Sequence, residues 1–394
     1  MIISRDLQPH LLKAATHFPV VAILGPRQSG KTTLAKLTFA EYTYLSLEDF
    51  DTRERIARDP RAFLADCNSA KGVILDEFQH VPQILSYIQT YVDEKQQNGF
   101  FVLTGSQNFL VNESITQSLA GRIAIMTLLP LSAHEIQQAG LLPMRYEPVV
   151  TTGFAPVLWG KQVPPVDWYR GFLTTYIERD IRQIKNIKDL SLFKTFMALC
   201  AGRIGQQLNV TTIANDCGIT VQTARNWLSL LDATYITFPL MPFYKNFNKR
   251  ITKTPKLYFY DTGLAAYLLS LTPELVERGS MRGPLFEAFV IAELMKGFHN
   301  RNLEPRLFYW QDQTGNEVDC LIGTPLQQHA IEIKAGMTVS QDYFKGLSIY
   351  KNLAGDELQS RHVVYAGDQA YDSCGTNITP WDQVDAIVQT IIAR

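Results

Sequence analysis

Apolar runs and mixed amphipathic stretches take turns along the first third of the chain. Val20–Leu24 is a run of five apolar residues and predicts a buried strand. Thr43–Leu47, Gly72–Asp76, Gly99–Gln107 and Ile123–Leu129 predict four more strands. Between them the pattern turns helical: at Ser4–Thr16, from Thr33 onward, over Asp51–Asp66 with an interruption at Pro60, and through Ser118–Arg122. Strands alternating with helices imply a parallel α/β sheet with right-handed crossovers.

The pattern changes after residue 160. Lys161–Pro165 reads as a linker and Trp168–Asp189 as helix. Leu208–Leu231 divides into two short helices. Thr211 or Thr212 is expected to cap the first, Gly218 to make the turn, and Thr220 to cap the second. Ile213, Cys217, Ile219, Ala224, Trp227 and Leu228 would face inward, the spacing of a helix-turn-helix. Ala233–Phe238 and Leu257–Tyr260 are predicted as a following strand pair. Farther on, Gly283–Lys296 reads as an amphipathic helix with Pro284 near its start. Strands are expected at Leu307–Gln311, Asn316–Ile322 and His329–Lys334. Gln341–Arg394 adds a helix, a strand at His362–Ala366, and a terminal helix from Trp381. The expected division is 1–160, 166–262 and 263–394.

Composition sets bounds on this picture. The chain has 394 residues, 46% hydrophobic and 19% charged, which suits an ordinary globular protein of about two or three domains. Its net charge of −1 excludes a general polyanion coat, so any nucleic-acid contact is expected as a local patch. Cys67, Cys200, Cys217, Cys320 and Cys374 are scattered, with none at zinc-ligand spacing, which suggests a reducing compartment. The start lacks a basic region followed by an apolar one. Phe18–Leu24 is too short to span a membrane. A cytoplasmic location without membrane contact is the expectation.

The sharpest chemistry lies in Gly25-Pro26-Arg27-Gln28-Ser29-Gly30-Lys31-Thr32, followed by Thr33. It fits G-x-x-x-x-G-K-[ST] between a strand and a helix, the setting of a phosphate-binding loop. Glycines let the backbone turn tightly and aim N–H groups at a phosphate, and the helix N-terminus adds its positive end. Lys31 is expected to reach the β- and γ-phosphates of ATP, with the Thr32 hydroxyl as a Mg²⁺ ligand. The strand Gly72–Asp76 ends in two acids. Asp76 is placed to hold the Mg²⁺ shell and Glu77 to orient or deprotonate water. Ser106, or Thr104, would sense the γ-phosphate. Arg122 is a candidate arginine finger in cis or in trans, the latter implying a homo-oligomer, and otherwise a surface ion-pair residue.

These motifs have company. GPRQSGKTTL, LDEFQ with Pro82 after it, LTGSQ and SLAGR together resemble a bacterial and archaeal family of AAA+-type ATPases with a C-terminal domain of unknown function. The resemblance implies an ATPase with a five-stranded core sheet. Tyr176–Ile181, which includes Arg179, and Asp261–Leu264 are similar to further motifs of that family.

Two readings concern DNA. Gln222, Thr223, Arg225 and Asn226 lie near the start of the second helix of the pair, where base-edge contacts are made. Met241–Lys256 carries five basic residues, no acid and three aromatics. As the wing of a winged helix, its Lys245, Lys249, Arg250, Lys253 and Lys256 would contact phosphates. The rival is a winged helix that only packs, as a lid on the ATPase. Near the C-terminus, Glu287, Asp319 and Glu332-x-Lys334 fit the PD-(D/E)xK nuclease arrangement. Asp319 and Glu332 would hold Mg²⁺ or Mn²⁺ for attack of water on a phosphodiester, and Lys334 would stabilise charge. Period-2 geometry puts Glu332 and Lys334 on one face, whereas Glu287 and Glu293 do not stack on one face of their helix. This series also resembles the family's C-terminal domain, which is related to restriction-endonuclease folds.

The expected fold is therefore an AAA+-like P-loop NTPase sheet, then a winged helix-turn-helix, then a restriction-endonuclease-like α/β domain. The expected function is an ATPase acting on DNA. The alternative is an ATP-driven switch or protein remodeller whose C-terminal domains bind partners without cutting.

Overall fold

The computed structural model describes residues 1–106, 118–176, 189–243, 254–324 and 326–393. The first layer set holds α1 (Gln8–His17), β1 (Val20–Gly25), α2 (Lys31–Thr38), β2 (Thr43–Ser46), α3 (Phe50–Arg58), α4 (Pro60–Asp66), β3 (Val73–Asp76), α5 (Ile84–Lys95), β4 (Phe101–Ser106) and β5 (Ile123–Thr127). Among the described residues the five strands form one parallel sheet in the order β2-β3-β4-β1-β5. β1 and β3 are buried throughout, as expected for strands covered on both faces.

Period 2 sorts the side chains of β1. Val20, Ala22 and Leu24 pack with Ile56, Phe63, Ile84 and Ile88 on one face. Val21 and Ile23 pack with Leu7, Leu11, Leu34 and Ala35 on the other. The expected interruption at Pro60 is a true helix boundary, where the Asp59 side chain accepts from Ala62 N–H and caps α4.

The middle of the chain is helical: α6 (Ala133–Gln138), α7 (Tyr146–Thr152), α8 (Pro156–Gly160), α9 (Pro165–Thr175), α10 (Leu190–Ala201), α11 (Val210–Cys217) and α12 (Val221–Ala233). α11 and α12 are the helix pair read from the sequence. Gly218 turns between them at φ 71° and Thr220 caps α12. The first cap differs from expectation: Asn209, not Thr211 or Thr212, accepts from Thr212 N–H. Ile213, Cys217, Ala224, Trp227 and Leu228 are buried. β6 (Thr237–Pro242) starts later than expected because α12 runs on to Ala233, and it pairs antiparallel with β7 (Lys256–Phe259).

The last part holds α13 (Thr262–Leu268), α14 (Pro273–Arg278), α15 (Arg282–His299), β8 (Leu307–Gln311), β9 (Glu317–Thr324), β10 (Gln327–Lys334), α16 (Lys345–Ala354), β11 (Leu358–Tyr365), β12 (Tyr371–Ser373), β13 (Thr376–Pro380) and α17 (Val384–Ile392). β8, β9 and β10 form an antiparallel meander, and α16 crosses over to β11, parallel to β10. β6 also joins this sheet, pairing Met241 and Pro242 with Phe308 and Tyr309. One sheet in the order β12-β13-β11-β10-β9-β8-β6-β7 thus runs through the boundary expected at 262/263. A single apolar cluster likewise extends from Leu129 to Val388.

α15 corrects a second expectation. It is not amphipathic: every residue from Ala288 to Phe298 is buried, because sheet and helices surround it. Its Glu293 and Lys296 pair with each other at 2.7 Å inside that core. No helix among the described residues is long and apolar enough to cross a membrane.

Candidate functional site

The phosphate-loop candidate sits at the carboxyl edge of the parallel sheet, where β1 gives way to α2. Gly25 ends β1 at φ 148°, and a Cβ built there would meet the Leu128 carbonyl at 2.2 Å, so only glycine fits. Gln28 and Gly30 are left-handed, at φ 59° and 95°, and bend the chain into α2. Lys31 is buried, and its Nζ donates to the carbonyls of Gly25 at 3.1 Å and Pro26 at 2.6 Å, inside the curl. Ser29 is buried, and among the described residues its Oγ meets no hydrogen-bond partner. Trp168 of α9 donates from Nε1 to Gln28 Oε1 at 3.0 Å.

Asp76 gathers three hydroxyls. Thr32 Oγ1 donates to its two oxygens at 2.9 and 3.1 Å, Tyr44 OH donates at 2.8 Å, and Thr104 Oγ1 donates as well. Burial first, and then the Asp76 hydrogen bond and charge, push the Tyr44 phenol up to about 12. Glu77 takes a left-handed backbone at φ 54° and accepts from Gln79 Nε2 and from Ser106 Oγ, the latter at 3.2 Å. Lys31, Thr32, Thr33 and Glu77 line a cleft of about 720 Å³ whose other wall is Ile2, Ile3, Leu131, Pro156 and Val157.

Lys31, Thr32, Asp76, Glu77, Thr104 and Ser106 are thus brought together as the sequence implied. Sequence reasoning missed Tyr44, whose alternating strand gave no sign of its partner. It also missed the wall from residues 2–3 and 156–157, which no motif marks.

This donor set fits the groups the motif calls for. A hydroxyl and a carboxylate are hard oxygen donors suited to Mg²⁺. An unpartnered buried serine hydroxyl, a left-handed glycine and a helix N-terminus suit a polyphosphate.

Arg122 is a correction. It precedes β5 and its carbonyl accepts from Val20 N–H at 3.2 Å, at the opposite edge of the sheet from the loop. The six residues of β1 separate the two edges by roughly 20 Å. An arginine finger in cis is therefore excluded. The guanidinium forms a fork with Asp93, at 2.6 and 2.9 Å.

A second cluster forms where α15, β7, β9 and β10 meet. Asp319 accepts from Ile333 N–H at 2.7 Å and from Lys334 Nζ at 3.3 Å. Lys334 also pairs with Glu332 at 2.5 Å. Glu287 accepts from Lys256 Nζ at 3.2 Å and from Tyr258 OH, and Lys256 pairs in addition with Glu317. Burial, then the Asp319 charge, push Glu287 up to about 7 and Glu332 up to about 8. Burial alone would lower the two lysines, but the surrounding carboxylates outweigh it and hold both above their ordinary value. The Glu332 Oε2 atom is buried, and among the described residues it meets no partner.

All four residues named from the sequence, Glu287, Asp319, Glu332 and Lys334, are in this cluster. Glu317 was missed, although Glu317-x-Asp319 shares one strand face by period 2. Lys256 is a correction: it is a buried partner of carboxylates, not a solvated wing residue. Among the described residues, no group of three or more His, Cys, Asp or Glu side chains is arranged to hold a metal ion.

On α12, Gln222, Arg225 and Asn226 are exposed, and Thr223 is half-buried. Gln222 donates to Asn226 at 3.2 Å, and Thr223 shares a 2.8 Å hydrogen bond with Thr220. Lys245, Lys249, Arg250, Lys253 and Arg179 lie outside the described residues.

Comparison with known proteins agrees with the first of these sites. Residues 17–137 match a family described as an AAA domain. Residues 146–275 and 282–384 match two families described as domains of unknown function. The phosphate loop and the acids that end β3 thus lie in a segment similar to AAA domains. Uncharacterised proteins of Mycobacterium tuberculosis and Mycobacterium bovis are each 28% identical over 393 residues, covering 98% of this chain and 85% of theirs. Among solved structures, the Walker-type ATPase of Pyrococcus abyssi is 15% identical, covering 67% of this chain and 95% of its own, at a TM-score of 0.44. The RuvB Holliday junction branch migration motor of Thermotoga maritima is 15% identical, covering 60% and 89%, at 0.33.

Proposed function

We propose that this chain hydrolyses Mg²⁺·ATP at the Gly25–Thr33 loop and acts on DNA through α11–α12 and the carboxylate cluster. In this reading Lys31 moves from the loop carbonyls to the β- and γ-phosphates. Thr32 and Asp76 would hold Mg²⁺, which when bound would supply positive charge against the phosphates. Glu77 orients the attacking water, and Ser106 keeps the Glu77 carboxylate in place. Thr104 and Tyr44 fix the Asp76 carboxylate so that little reorganisation accompanies the reaction.

The observation that carries the DNA part is the root of the basic stretch. Tyr309 OH donates to the Thr254 carbonyl at 2.7 Å, and Lys256, two residues on, touches Glu287 and Glu317. A backbone drawn to Lys245, Lys249, Arg250 and Lys253 would be delivered beside those carboxylates. Asp319 and Glu332 are an oxygen-only set suited to Mg²⁺ or Mn²⁺, which would activate water for phosphodiester cleavage, with Lys334 stabilising charge. Arg122 would serve ATP hydrolysis only from a neighbouring copy, after leaving Asp93.

One observation favours a second reading, a switch that binds DNA without cutting. Lys334 already bridges Asp319 and Glu332, and Lys256 bridges Glu287 and Glu317.

The test incubates linear, supercoiled and branched DNA with protein and Mg²⁺ or Mn²⁺, with and without ATP. Cleavage by the wild type and not by Asp319→Ala supports the first reading. Binding without cleavage moves the protein to the second. Unchanged ATP turnover by Lys31→Ala would sink the nucleotide mechanism.

A further inference from the structure

We propose that Arg5 is a positioning residue of the phosphate loop, turning the Ser29–Gly30 peptide so that its N–H faces the nucleotide. The inference rests on the ATPase reading of the loop. Arg5 precedes α1 and carries no motif, yet it is only 7% exposed. Nη1 donates to the Ser29 carbonyl at 2.6 Å, and Nη2 to the Leu129 carbonyl at 2.7 Å. Nε donates to Glu135 Oε1 at 2.9 Å.

The geometry gives that contact a direction. A trans peptide sets its C=O and N–H on opposite sides. With the Ser29 carbonyl turned out to Arg5, the Gly30 N–H points the other way. The guanidinium lies close under this turn: a Cβ built on Gly30 would be 3.7 Å from Arg5 Nη1. Gly30 itself is left-handed, a conformation with little intrinsic preference, so the loop needs an outside anchor.

The anchor is itself fixed. Glu135 is fully buried and neutralises the guanidinium. It also accepts from the N–H groups of Asp6 and Ser132, each at 2.9 Å, in a capping box at the start of α6. Only a planar fork reaches Glu135, Ser29 and Leu129 at once. A lysine ammonium is a single point and keeps the charge but not the three directions.

Arg5→Lys is therefore the test, with titration of a fluorescent ATP analogue and steady-state ATP turnover as readouts. The expected result is a folded protein whose Kd and KM for ATP rise roughly tenfold or more, while kcat at saturation changes by much less. Phe63→Leu, in the apolar core on the opposite face of the sheet, serves as a destabilised control with an unaltered KM. Should Arg5→Lys fold poorly, the neutral pair Arg5→Gln with Glu135→Gln removes the same contact without stranding a charge, and the same rise is expected. Wild-type ATP affinity in the folded variants overturns the inference. So does an equal rise in Phe63→Leu, which would make the effect one of stability. A wild-type protein that neither binds nor hydrolyses ATP would instead overturn the ATPase reading beneath it.

Discussion

Asp76 offers a way to separate charge from hydrogen bonding at the nucleotide site. The residue is 6% exposed, and its carboxylate accepts from Thr32, Tyr44 and Thr104. Asp76→Ala leaves all three hydroxyls without that acceptor. Thr104 is fully buried, whereas Thr32 and Tyr44 are partly exposed and can turn toward water. At about 1–3 kcal/mol for the stranded Thr104 hydroxyl, and less for the two that reach water, the expected destabilisation is about 2–4 kcal/mol. Asp76→Asn is different. Its amide oxygen still accepts, and its NH₂ meets a hydroxyl that can rotate to accept in return. That variant is expected to lose about 1 kcal/mol or less.

Urea unfolding followed by circular dichroism reads the contrast. The Ala variant's midpoint should fall by about 1–2 M, while the Asn variant stays near wild type. ATP turnover should nevertheless fall in both, by about a hundredfold or more, because both remove the negative charge. Equal midpoints for the two variants would refute the hydrogen-bond reasoning. Wild-type turnover in Asp76→Asn would refute the role of the carboxylate.

Two further outcomes follow from single positions. Gly25→Ala puts a methyl against the Leu128 carbonyl, next to the 2.8 Å Leu128 N–H to Leu24 carbonyl bond that joins β5 to β1. A loss of about 2–4 kcal/mol is expected from backbone strain and the weakened bond, and a wild-type thermal melt would contradict it. Burial pushes Asp232 from its ordinary 3.8 up to about 6, against a 2.6 Å hydrogen bond from Thr237. Between those values the folded chain keeps a proton that the unfolded chain has released. Stability therefore falls as pH rises through that window, by roughly 3 kcal/mol in all. Asp232→Asn should abolish that slope and raise stability at pH 7.5. An unaltered profile of stability against pH would refute the assignment.

The sequence by itself determined whatever depends on neighbours along the chain. Val20–Leu24 had to be a buried strand, because nothing polar interrupts it. Gly25–Thr32 had to be a phosphate loop candidate, because its spacing is local. Gly218 and Thr220 marked the turn of the helix pair for the same reason. Even the C-terminal cluster was half legible, since Glu332-x-Lys334 shares a face by the pleat of one strand.

Tertiary structure decided the rest, wherever a side chain's meaning depends on what folding brings to it. Arg122 was open between an arginine finger and a surface ion-pair residue until the direction of β5 put it at the far edge of the sheet, beside Asp93. Lys256 looked like a solvated wing residue until Glu287 and Glu317, 31 and 61 positions later, closed around it. Gly283–Lys296 read as an amphipathic helix, but α15 is wrapped on all sides, and Glu293 and Lys296 neutralise each other there. Arg5 carried no signal, because its partners lie 24 and 130 positions away. Buried charges need partners, and long-range packing alone chooses which partners those are.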